Sequence, residues 1–79
     1  MNPHFASLVL GLGTQATAAL EGKLPAEAAG ANPRDVARAL IDTLGMLEEK
    51  TRGQLDADEQ RLIGEVLATL RIRFVKEVA

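Results

Sequence analysis

The stretch Thr51-Arg52-Gly53-Gln54-Leu55-Asp56-Ala57-Asp58-Glu59 decides the fold. Gly53 follows a segment with helical apolar spacing, and glycine is the residue that most readily takes the left-handed backbone just past a last helical turn. Three residues later Asp56 can cap a new helix. Glu59, at the third helical position, can reach back to the cap's own N–H, a capping-box pattern with Asp in place of Ser or Thr. A helix stop and a helix start this close predict two helices folded back on each other as an antiparallel hairpin.

Working outward, the segment before the turn carries Val36, Ala37, Leu40, Ile41, Leu44 and Leu47 at steps of three and four, the stripe of an amphipathic helix. Asn32-Pro33 opens it, with Asn as N-cap and Pro at a position where its missing N–H costs nothing. After the turn, Leu62, Ile63, Val66, Leu67, Leu70 and Phe74 cover about 120° of a second helix. The hairpin is thus expected over residues 33–78. Upstream, residues 21–32 hold two glycines and a proline among small residues and are expected to be a flexible linker. A linker of that length is long for a compact domain, which suggests that the first helix packs loosely or on another subunit.

That first helix is expected at about residues 3–20. Asn2-Pro3 repeats the opening device, and Phe5, Leu8, Val9, Leu12, Ala16, Ala19 and Leu20 form its stripe. Gly11 and Gly13 each weaken a helix by about 1 kcal/mol relative to alanine, so they either allow a close helix approach or mark a fray point. As a phosphate loop the Gly-x-Gly is poor, since no strand precedes it and no third glycine follows in register.

Composition narrows the function classes. The chain has 79 residues and no cysteine, which excludes disulfides and thiolate metal sites. Tryptophan and tyrosine are also absent, leaving Phe5 and Phe74, too few for a base-stacking platform. The net charge of -2 gives no general attraction to phosphate. The apolar run Phe5–Gly13, with Ala16-Thr17-Ala18 behind it, has some features of a signal peptide. Met1–His4 lacks a Lys or Arg, and the run is too short to span a bilayer, so a cytoplasmic protein without membrane attachment is expected.

Chemistry-bearing residues are sparse. His4 is the lone histidine, and Ser7 beside it on one terminal helix does not make a triad. Asp56, Asp58 and Glu59 lack the spacing of a calcium loop and are better explained by helix capping and the helix dipole. No catalytic, cofactor-binding or metal-ligating residue is expected. Glu48-Glu49-Lys50 and Arg52 fit a solvated helix end. Arg71, Arg73 and Lys76 form a candidate basic patch at the end of the last helix, the basis of an alternative reading as a nucleic-acid or ribosome-associated factor. Leu10, Met46, Ile72 and Val75 fall off their helices' apolar stripes and are candidates for an oligomer interface.

The segment Ile41-Asp42-Thr43-Leu44-Gly45-Met46-Leu47-Glu48-Glu49-Lys50-Thr51-Arg52-Gly53, with Leu55, Glu59, Leu62, Leu67, Leu70-Arg71 and Phe74, resembles a small bacterial family known only as the domain of unknown function numbered 1844. Phe5, Leu8, Leu12, Gln15-Ala16 and Leu20 look like the family's start. Gln54 and Phe74 depart from it, where Asn and Tyr are usual. The resemblance implies a helical bacterial cytosolic protein and no activity. It also singles out Asp42, expected to pair with Arg71 or Arg73, Lys50, expected at the carbonyls ending its helix, and Thr51, expected to bond within the turn.

The expectation is therefore an all-α single domain over residues 1–79: an N-terminal helix plus a long antiparallel hairpin, completed as a bundle by dimerisation. Asn32, Gly53, Asp56 and Glu59 are its turn and cap residues. Its expected role is a non-enzymatic interaction or scaffold module that works as a homo-oligomer and presents a helical surface to a protein partner.

Overall fold

The structure is a computed structural model that describes residues 1–78. Three helices pack against one another: α1 (Pro3–Leu20), α2 (Pro33–Lys50) and α3 (Ala57–Val78). No strand occurs among the described residues.

Local chemistry sets each boundary. The Asn2 side chain accepts from the N–H groups of His4 (2.8 Å) and Phe5 (3.3 Å). Asn32 does the same for Arg34 (2.9 Å) and Asp35 (3.4 Å), so both helix starts have their open donors bonded. α2 ends at Thr51, whose hydroxyl donates to the Leu47 and Glu48 carbonyls. Gly53 then takes the left-handed backbone at φ +84°. The capping box forms as the pattern predicts: Glu59 N–H donates to Asp56 Oδ1 at 2.8 Å, and Asp56 N–H to Glu59 Oε1 at 2.9 Å.

The segment after α1 carries more order than its composition suggests. Gly22 adopts φ +78°, Lys23 N–H donates to Ala18 C=O at 2.8 Å, and Gly22 N–H to Ala19 C=O at 3.0 Å. That pair of bonds is a Schellman end, which turns the chain sharply away from α1. A single 3-10 turn at Ala26–Ala28 follows, before Asn32 caps α2.

The core is aliphatic and draws on all three helices: Val9 and Ala16 of α1, Ile41 and Leu44 of α2, and Ile63, Leu67 and Leu70 of α3. Phe5, Leu12, Leu20, Leu55 and Phe74 close its edges. α1 therefore packs inside its own chain, against both other helices. Its buried face is rotated from the expected stripe. Gly13 is buried, with space for a Cβ limited by Val66 Cγ1 at 3.0 Å, whereas Leu8 stays 48% exposed. The missing side chain at Gly13 lets α1 approach α3 closely, and this turns Leu8 outward.

One carboxylate joins the two ends of the fold. Glu59 is 7% exposed, and besides its capping bond its Oε2 accepts the Asn2 N–H at 2.7 Å. Both carboxylate oxygens are thus occupied by backbone donors, as a buried charge requires. Truncating it as Glu59→Ala leaves the Asp56 and Asn2 N–H groups without their acceptor. A loss of about 1–3 kcal/mol is expected in urea unfolding, with a smaller loss for Glu59→Gln, which keeps one acceptor oxygen.

Candidate functional site

An apolar groove of about 490 Å³ runs between α1 and α3. Leu10 and Gly13 form its α1 side, and Leu62, Val66 and Leu70 its α3 side. Thr14 and Thr17 also line it, but their hydroxyls donate to the Leu10 and Gly13 carbonyls of their own helix at 2.8 and 2.9 Å. This back-bonding satisfies the hydroxyls internally, so they ask nothing of an occupant. The charged residues lining the groove are Glu21 and Glu65. Glu21 already pairs with Arg73 (3.6 Å) and with Lys23 (3.8 Å).

The four candidate interface residues are all exposed: Leu10 at 51%, Met46 at 49%, Ile72 at 58% and Val75 at 65%. They do not all line the groove. Leu10 lines the groove, while Met46, Ile72 and Val75 do not, and α2, which carries Met46, contributes no lining residue. Leu8 and Met1 are also exposed large apolar residues.

Two of the three basic residues near the end of α3, Arg71 and Arg73, are directed to different neighbours. Arg73 reaches Glu21 at the end of α1, and Glu77 one turn on (3.6 Å). The Arg71 guanidinium lies against Gly45 of α2, at 3.2 Å from where a Cβ would stand. Residues two apart on a helix face different sides, whereas Lys76, three residues past Arg73, starts from the same side as Arg73. The expected pairing of Asp42 with Arg71 or Arg73 does not form: among the described residues Asp42 is exposed and makes no ion pair. Arg34 sits over the Phe74 ring at 5.8 Å from its centre, a contact between α2 and α3 that residue spacing did not suggest.

Of the residues weighed for chemistry, His4 and Ser7 are exposed on the first turns of α1. Among the described residues no three His, Asp or Glu side chains gather as a metal-binding group. Asp56 is perturbed. The Glu59 N–H bond holds its carboxyl below the usual carboxylate range; desolvation opposes this, and the Met1 ammonium at 3.2 Å assists. The same contact raises the Met1 ammonium, first through its hydrogen bond to Asp56 and then through that residue's charge.

With this geometry in place, the comparisons with known proteins place the chain. It belongs to the family described as Domain of unknown function (DUF1844), which it matches over residues 2–76. No curated protein and no solved structure matches it.

The Asp56 carboxyl is lowered on folding, so its contribution is present above the unfolded value of about 3.9 and is lost as pH falls through the folded value. Urea midpoints should therefore decline as pH drops below about 4. Asp56→Asn should be less stable at neutral pH and show a flatter decline over that acid range.

Proposed function

We propose that this protein is a non-enzymatic protein-interaction or scaffold module of the bacterial cytoplasm that works as a homo-oligomer, a dimer in the first instance. The groove between α1 and α3 is the observation that carries this reading. Its walls are mainly leucines, a valine and threonines, two of which (Thr14 and Thr17) have their hydroxyls already bonded, so it offers chiefly contact area. Apolar surface of this kind is stabilised by being covered. A chain of 79 residues buries a limited share of its surface on its own and gains from a partner's.

The antiparallel hairpin belongs to the same proposal. It is supported by the contacts of α2 on α3: Arg34 on Phe74, Gly45 on Arg71 and Glu48 near Gly64, whose numbers rise on one helix as they fall on the other. No helix among the described residues is long and apolar enough to cross a membrane. The nucleic-acid alternative draws less support, because Arg71 and Arg73 are directed to different neighbouring helices.

Light scattering on the purified chain at micromolar concentration is expected to give twice the monomer mass; a stable monomer would overturn the homo-oligomer reading. An affinity capture repeated with nuclease should retain the same protein partners. Loss of all partners on nuclease treatment would favour the nucleic-acid alternative.

A further inference from the structure

Resting on the homo-oligomer reading, we propose that the α1–α3 groove is filled by α1 of a second copy, the two α1 helices lying antiparallel about a two-fold axis near Thr14. Electrostatics selects this occupant. α1 is 18 residues long and contains no Asp, Glu, Lys or Arg. Two copies of it therefore meet without setting like charges of their own against each other, which is costly. A charged amphipathic helix would need counter-charges in the groove. Of its two carboxylates, Glu21 is already held by Arg73 and Lys23, which leaves Glu65.

The shape fits the same occupant. An isologous contact uses one patch twice, so a residue that walls the groove of one copy must project into the groove of the other. Leu10 meets both conditions, lining the groove while remaining 51% exposed. The lining residues of α1 run from Leu10 to Ala18 and on to Glu21 just past its end, and Thr14 lies near their middle, where an antiparallel partner would cross.

The absence of cysteine makes the pairing directly testable. Under mild oxidation at micromolar concentration, Thr14→Cys should form a disulfide-linked dimer about ten times faster or more than Met46→Cys, an exposed control on α2, because only facing residues bring their Cα atoms within reach of a disulfide. Leu10→Glu should convert the dimer to monomer by light scattering while keeping its helical circular dichroism. If the wild-type chain is a dimer but Thr14→Cys links no faster than the control, or Leu10→Glu leaves the dimer intact, the pairing is wrong and the homo-oligomer reading survives. If the wild-type chain is a monomer, both fail.

Discussion

The rest of this structure depends on the Glu59 carboxylate. A charge that is almost wholly covered must have its lone pairs occupied, and here both oxygens are taken by backbone N–H groups, one from Asn2 and one from Asp56 in the α2–α3 turn. One bond starts α3. The other pins the start of α1 to the turn between α2 and α3. Because the carboxylate stands at the beginning of two helices, both dipoles favour its charge. The far end of α1 is tied by the Glu21–Arg73 ion pair, and its middle is drawn in at Gly13 against Val66. A helix fastened at both ends and seated in the middle makes a defined wall. The groove beside it is consequently a formed surface before any partner arrives, which lowers the ordering cost of association.

The parts of the fold legible in the sequence were those decided by near neighbours. Asn2, Asn32, Asp56 and Glu59 act on donors two or three residues away, and Gly53 acts on its own backbone, so spacing alone identifies them. Gly22 belongs to the same class, since a glycine just beyond a last apolar residue is as good an end signal there as at Gly53. Grouped with a second glycine and a proline, it read as linker composition. The second role of Glu59 lies 57 positions from its donor and left no local trace. The pairing of Arg73 with Glu21 is also long-range and left no local trace.

The candidate site was legible in part. Leu10 was found as an apolar residue off its stripe, and it does line the groove, but Met46, Ile72 and Val75 share only their exposure with it. A single-helix pattern reports that a side chain is left over, not which neighbour it stands beside. Arg71 and Arg73 are two steps apart along the helix, more than half a turn, and each reaches a different neighbour. Threonines at positions 14 and 17 conceal the groove in another way. They count as polar in any hydropathy scale, yet their hydroxyls are bonded to carbonyls one turn back, and the surface they leave is closer to that of valine.

The tie between Asn2 and Glu59 runs through a backbone N–H, and this sets what drift the position tolerates. Any side chain at residue 2 preserves that donor except proline, which has none. The side chain there answers to a separate demand, the open donors of His4 and Phe5, which Ser, Thr or Asp could meet in place of Asn. Position 2 is thus variable within a small set of capping residues, whereas position 59 needs a carboxylate long enough to span two helix starts at once. In a set of related chains the acidic residue should stand nearly fixed while its partner drifts, so the contact would leave little covariation to betray it.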